Sequence, residues 1–475
     1  MLQEDIFDFW VAKEKKIVSR KKRKYPHFDP KIDFFKNIKF YKNYFNNPLN
    51  IARHSFYPFI KMELETPRYK KISNNGVNGR PIRVKDIKKR PLAYCAHFDA
   101  FIYSWFSTLL TKKYEKLIEK EKISQNVLAY IEKGASNIEF SHEVFEYIKS
   151  KGECVTLAFD ITSFFDGLDH EHLKKMWCKV LDVSKLPNDH FKVFKSLTKY
   201  SYVVKKDLEN EFPFLIKKRD KGDFIDLICT PKEFRSRVRG NSLIRNNCNK
   251  IKLKDSEREG ELCGILQGSP LSACLSNIYM LEFDVLINKI VSDVGGLYRR
   301  YCDDIIIVVD SENGDKIKKQ VQDKIRLFHL EINNSKTEVT KFIFDKVGEL
   351  RGYDNNHKYR NLQYLGFEFN GQNTYIRSSS MSRYNRRMSA MIRKNLKAAY
   401  GSKSIGNKVF KKKLYERYSD VGKRNFITYA ERASEYMQSS TIKKQCRNSL
   451  KKVVDRFHDK KNKFELEKKP KKIMI

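Results

Sequence analysis

Three carboxylates have the type and setting for metal-assisted chemistry. Asp303 and Asp304 are adjacent in LYRRYCDDIIIVV (297–309), between apolar runs rich in β-branched residues. Such runs predict two strands, with the acid pair at the turn that joins them. Carboxylates crowded beside a buried sheet repel one another, and a divalent cation is the natural compensation. Asp160 closes a second apolar run, VTLAFD (155–160), where a strand end would deliver its carboxylate to a cleft. Two strand ends side by side would hold two Mg2+ ions roughly 3.5–4 Å apart, the spacing that serves in-line displacement at phosphorus.

Other polar residues in these segments have quieter expectations. Asp166 and Asp169 lie too far along to share the strand end of Asp160. The sequence assigns them to a surface acid and to the N-cap of a helix starting near His170. His170 and His172 flank that helix start as capping or surface residues, and His97 is expected to pack beside Tyr94 and Tyr103. In GILQGSPLSACLSNIYMLEFD (264–284), Ser269 and Pro270 form an N-cap and first-turn pair. The helix behind them carries Leu275, Ile278, Tyr279 and Phe283 on its apolar side. Gly268 would let the backbone approach a nucleotide closely, with the Gln267 amide at the helix start.

The elements that must position these groups are spread over 475 residues, enough for two or three lobes. Residues 1–50 form a basic, aromatic extension suited to stacking and phosphate contact or to capping a larger domain. Residues 51–150 read as mostly helical after the turn-rich, basic stretch SNNGVNGRPIRVKDIKKRP; its Gly76–Gly79 spacing is a loop signal only. Residues 151–372 hold the acids and the 264–284 segment, interrupted by a charged, irregular insertion or outer lobe at about 201–262. NLQYLGFEFN (361–370) predicts a short strand. Residues 373–475 are helical and basic, with Tyr384, Met388, Met391, Ile392, Leu396 and Ala399 at helical spacing as a core stripe, and a frayed tail from Lys460.

Charge narrows the partner. Lys and Arg number 96 against 58 acids, a net +38. A field of that size favours a polyanion, because each phosphate neutralised releases condensed counterions. The nine cysteines show no metal-ligand spacing and predict free thiols in a reducing compartment. No leader peptide is expected at the N-terminus, and no 18-residue apolar stretch occurs, so the expectation is a cytoplasmic protein with no membrane partner. The oligomeric state is left open.

In order and spacing, these segments resemble the reverse transcriptase family. Asp160 with Ser163–Phe164–Phe165–Asp166 is similar to its first palm motif, Gln267–Gly268–Ser269–Pro270 to its second, and Tyr301–Cys302–Asp303–Asp304 to its catalytic hairpin. LEINNSKTE (330–338), with Lys336, and NLQYLGFEF resemble the following motif and the primer-grip hairpin. The resemblance spans about 50–370 and implies an α+β right-hand fold: fingers at 51–150, an antiparallel-sheet palm at 151–372 and a helical thumb from 373. It further implies RNA-templated synthesis of a DNA product from deoxynucleoside triphosphates with two Mg2+ ions. Asp160, Asp303 and Asp304 would be both catalytic and metal-binding. Phe165 would act as a steric gate against a 2′-hydroxyl, and Gln267 would touch the incoming nucleotide. Lys336 would neutralise or protonate pyrophosphate, and Arg90 would clamp the triphosphate, with Arg80 and Arg83 as rivals. FSHEVFEYI, LPNDHFKVFKSLTKYSYV and GSPLSACLSNIYMLEFD are similar to bacterial defence-associated ("unknown group") enzymes, with retron and group II intron enzymes more distant. That likeness implies anti-phage defence with a noncoding RNA encoded nearby as template. A scaffold that binds RNA without chemistry, and a retron-like or intron-like enzyme outside defence, are the alternatives.

Overall fold

The computed structural model describes residues 3–20, 25–73, 82–216, 225–253, 257–401 and 409–468. Among the described residues, twelve strands form three sheets: β1 (Phe59–Ser73), β2 (Ile82–Tyr94), β3 (Cys154–Asp160), β4 (Ser201–Val204), β5 (Arg245–Asn246), β6 (Leu297–Tyr301), β7 (Asp304–Val309), β8 (Glu338–Phe344), β9 (Leu350–Tyr353), β10 (Leu362–Tyr364), β11 (Phe367–Phe369) and β12 (Thr374–Ile376). The central sheet has order β6-β7-β3-β8-β9 and is antiparallel throughout. Its strands β3 and β7 are apolar runs because both of their faces are covered. Ile305, Ile307 and Val309 join one core with Ile287 and Val291 of the helix Leu281–Ser292 and Ile317 and Val321 of Gly314–Arg326. The alternate residues Ile306 and Val308 join a second core with Phe145 and Ile148 of the helix Asn137–Lys151 and with Phe367 and Phe369. Strand geometry alone, with successive side chains on opposite faces, divides one sequence run between two cores.

The second sheet, β2-β1-β4-β5, takes up strands before and within the stretch read as turn-rich, while the helix expected after that stretch is there. The helices Pro48–Arg53, His97–Lys120 and Asn137–Lys151 are present. IRVKDIKKRPLAY, however, is a strand of a long antiparallel ribbon. Leu64, Val84 and Ile87 are exposed there, so no apolar alternation was required to announce it. The expected outer lobe at 201–262 joins this same ribbon: β4 pairs in parallel with β1, and Val203, Leu208, Phe212 and Val238 share a core with Ile60 and Phe28. Gly76–Gly79 and Arg80 lie outside the described residues.

The N-terminal extension caps a larger domain. Phe7 and Trp10 of the helix Gln3–Arg20 and Tyr41 and Phe45 of Ile38–Asn46 are buried against Trp105 of His97–Lys120. Asp29 reaches the N-terminus of that helix and accepts from the amides of His97 (2.9 Å) and Phe98 (2.8 Å), a cap supplied from far away in the chain. His97 is buried, with Tyr25 stacked on it at 4.6 Å. At the other end, Met388, Ile392, Leu396 and Ala399 are the buried stripe of the helix Ser378–Tyr400, covered by Lys412–Tyr418 and Ser449–Lys468. The last of these continues through the segment expected to fray; residues 469–475 lie outside the described residues. Among the described residues, no helix is long and apolar enough to cross a membrane.

Candidate active site

Strand register brings the acids together. Asp160 is paired directly with Asp304 across β3 and β7, and Tyr301 pairs with Asp304 across β6 and β7. Cys302 and Asp303 are therefore a two-residue turn. Cys302 sits at φ 61°, in the left-handed region usually left to glycine. The Asp304 side chain is open to solvent. The surrounding protein desolvates it, and Asp303 and Asp160 repel its charge, so its pKa is pushed up to about 6; Arg377 and Lys336 oppose the shift.

A divalent cation fits this donor set. The oxygens are hard carboxylates, and an acid pushed up by two neighbouring acids marks a cluster short of positive charge. Among the described residues no three acid, imidazole or thiol side chains converge on one point as they stand. Asp160 is instead held by Lys336, whose Nζ donates to Oδ2 at 2.5 Å. The loop behind β3 aims that lysine: Thr162 N–H donates to the Glu331 carbonyl at 2.8 Å and Asn333 N–H to the Asp160 carbonyl at 2.8 Å.

Phe165 follows Ser163, at φ 47°, in the short 3-10 turn Phe164–Asp166 and is partly buried against the main core. Its carbonyl accepts from Ile265 N–H at 2.8 Å, and the Leu168 carbonyl accepts from Gly264 N–H at 2.8 Å. These bonds place the Gln267–Pro270 turn next to the strand of Asp160. The Gln267 carbonyl in turn accepts from Ala93 N–H at 2.9 Å. The expected role of Gly268 changes here. Its backbone, at φ 120°, approaches the chain itself, and an added Cβ would stand 2.1 Å from the Ala93 carbonyl oxygen. Arg90 lies on the exposed ribbon, paired with Leu64, and its strand meets the site through Ala93.

The helix after this turn begins at Ser272, later than expected, because Ser269 Oγ accepts from Leu271 N–H (3.2 Å) in a turn preceding it. Leu275, Ile278, Tyr279 and Phe283 are buried as expected, with the helix interrupted at Met280. Asp166 is exposed, and Asp169 caps the helix His170–Leu181 through His172 N–H at 2.6 Å. His170 and His172 are tethers rather than surface residues: Nε2 of the first lies 2.9 Å from the Gly264 carbonyl and Nε2 of the second 3.0 Å from that of Tyr279.

Some neighbours of the acids escape sequence reasoning. Arg377 faces Asp304 from the start of the helix Ser378–Tyr400, one of many basic residues with nothing to single it out. Tyr130, at φ 62° and 49% exposed, stands beside Cys302 and Asp303. Arg300 and Asp284 form a fully buried ion pair below the turn. Their signal was available: two arginines inside the apolar LYRRY and an acid inside LEFDVLI.

An antiparallel palm sheet carrying paired acids at a hairpin and an adjacent strand end, flanked by a helical C-terminal lobe, defines an α+β right-hand polymerase fold. The family described as reverse transcriptase (RNA-dependent DNA polymerase) matches residues 104–369, more than half of the chain, and the chain belongs to it. A search of curated proteins finds no match. Among solved structures, apo telomerase from Candida tropicalis is similar at 12% identity and TM-score 0.40, over 89% of this chain and 66% of that one. Telomerase from Candida albicans, in complex with a TWJ fragment of telomeric RNA, is similar at 12% identity and TM-score 0.38, over 88% and 59%. The chain thus spans less than two thirds of the length of these telomerases.

Proposed function

We propose that the chain is an RNA-directed DNA polymerase that adds deoxynucleotides on an RNA template. The observation that carries this is the register pair Asp160–Asp304 with Asp303 at the adjoining turn. These three acids would hold two Mg2+ ions, which when bound activate a primer hydroxyl and stabilise the leaving pyrophosphate. Lys336 would yield Asp160 to the metal and place its ammonium near the leaving phosphates. Phe165, whose carbonyl accepts from Ile265 N–H, and Gln267, two residues further on, would contact the incoming nucleotide, the ring occupying the space of a 2′-hydroxyl. Arg90 on the ribbon would meet the triphosphate. The division into fingers at 51–150, palm at 151–372 and thumb at 373–475 belongs to the same proposal.

The template side of the proposal is supported by charge. The net +38 is accompanied by a basic groove lined by Lys423, Arg424 and Arg432 with Tyr429. Tyr429 stacks on Phe367 of the β10–β11 hairpin at 6.2 Å, so the groove adjoins the palm. A dedicated noncoding RNA encoded nearby would sit on such surfaces. The likeness of FSHEVFEYI and GSPLSACLSNIYMLEFD to defence-associated enzymes supports a cytoplasmic role in resistance to phage. The test is to express the gene with its native flanking sequence and count plaques beside an Asp303→Ala control. Protection that survives loss of the acid would show that polymerisation is not the mechanism.

A further inference from the structure

Arg300 is 0% exposed at its side chain, and so is Asp284. Taking two charges out of water is unfavourable unless every polar atom is matched, and an apolar pair of similar volume often serves stability as well. Here every nitrogen of the guanidinium has a partner. Nε donates to Asp284 Oδ1 at 2.7 Å and Nη2 to Oδ2 at 2.6 Å, a bidentate fork. Nη1 donates to Asn277 Oδ1 at 3.2 Å and to the Cys302 carbonyl at 3.0 Å. Tyr298 adds its hydroxyl to Asp284 Oδ1 at 2.6 Å.

The contact with Cys302 gives the pair its purpose. Cys302 holds a left-handed backbone at the turn that carries Asp303, and a non-glycine residue persists there only when its surroundings over-determine it. A rigid fork anchored on Asp284 can do this; an ammonium is a point charge on a flexible stem and lacks the planar fork that fixes both contacts at once. The backbone of Arg300 completes the frame. Its N–H donates to the Asn126 carbonyl at 2.8 Å, and its carbonyl accepts from Leu128 N–H at 2.9 Å. Asn277 Nδ2 donates to the Ala129 carbonyl at 2.7 Å, so the 126–130 loop, the helix Ser272–Tyr279 and the turn meet at one guanidinium.

We infer that Arg300 and Asp284 are positioning residues that hold the turn bearing Asp303 and Asp304 in its working conformation; this rests on the polymerase reading of that turn. They touch no substrate and act through the Cys302 carbonyl. The test uses the full chain and two readouts: Mn2+ binding followed by electron paramagnetic resonance without nucleotide, and primer extension against Mg2+ concentration. Arg300→Lys keeps the charge and loses the fork. Arg300→Met combined with Asp284→Leu removes both charges, so none is left buried alone. Each folded variant should bind Mn2+ about 10- to 100-fold more weakly and need correspondingly more Mg2+ for half-maximal rate, as for residues that orient metal ligands. Affinity for primer–template should not change. A folded variant that binds Mn2+ and extends primers as the wild type does would overturn the inference. Should the double variant not fold, Arg300→Lys decides alone. If Asp303→Ala also retains wild-type Mn2+ binding, the polymerase reading falls and takes this inference with it; if only the Arg300 variants do, this inference alone falls.

Discussion

The palm sheet and the β1–β2 ribbon are both antiparallel, yet they are built from opposite kinds of sequence. In the palm, β3 and β7 are continuous apolar runs, each with an acid at the end nearest the cleft, because both faces of the sheet are covered. In the ribbon, charged residues fill both strands, and Lys89 bridges to Glu63 at 3.1 Å on an exposed surface. The difference separates two tasks. The palm must hold acids against their mutual repulsion, which takes a rigid, desolvated platform. The ribbon, on the proposed reading, has only to present charge along an edge, which takes reach. Their junction is the backbone contact of Ala93 with Gln267 and Gly268, where the two kinds of structure are in register.

The largest effect should come from the palm. Asp160→Ala or Asp303→Ala should abolish nucleotide incorporation while the thermal unfolding midpoint stays close to wild type, since each would take away a proposed metal ligand at a partly exposed position. Retained incorporation would break the distinction between platform and edge. Next comes the junction. Gly268→Ala should destabilise the fold by about 1–3 kcal/mol or shift the turn, because the new methyl meets backbone and the residue has a positive φ. Chemical denaturation would measure it, and an unchanged midpoint would show that the ribbon and palm are not joined there.

A third prediction sharpens the site side. Phe165→Ala should change the preference for deoxy- over ribonucleotides by about tenfold or more, the size expected when a pocket wall is removed. Kinetics with each sugar in both proteins measures the ratio; no change would remove Phe165 from the nucleotide pocket. The smallest effect belongs to the ribbon and thumb. Lys89→Ala or Arg432→Ala should leave the catalytic rate alone and weaken RNA binding. Each should lower the slope of log affinity against log salt by about one phosphate contact. An unaltered slope for both would mean that these charges do not face the nucleic acid.

Legibility in the sequence followed the same division. Asp160, Asp303 and Asp304 could be read because a buried strand seldom ends in a carboxylate unless a cation or a basic side chain meets it there. The stripe of Met388, Ile392, Leu396 and Ala399 could be read because a helix packed on one side must repeat its apolar positions. The ribbon could not, since an exposed two-stranded element imposes no period on its residues. The partner of Gly268 could not either: positive φ was foreseeable, but the contact is with Ala93, distant in the chain. Arg300 and Asp284 stood out as charges inside apolar runs, but their pairing did not. Charges are expected outside, and only the closed set of hydrogen bonds around them accounts for their burial. Lys336 was singled out by the motif it resembles, but its contact with Asp160 depends on the loop that carries it.

The central claim is that the palm platform makes DNA on RNA. It is tested most directly by extending a primer on an RNA template in Mg2+, with separate pools of deoxy- and ribonucleotides, using wild type and Asp303→Ala. The account predicts Mg2+-dependent extension by the wild type with deoxynucleotides, little with ribonucleotides, and none by Asp303→Ala in either pool. Extension by Asp303→Ala at the wild-type rate, or by the wild type with ribonucleotides alone, would contradict it.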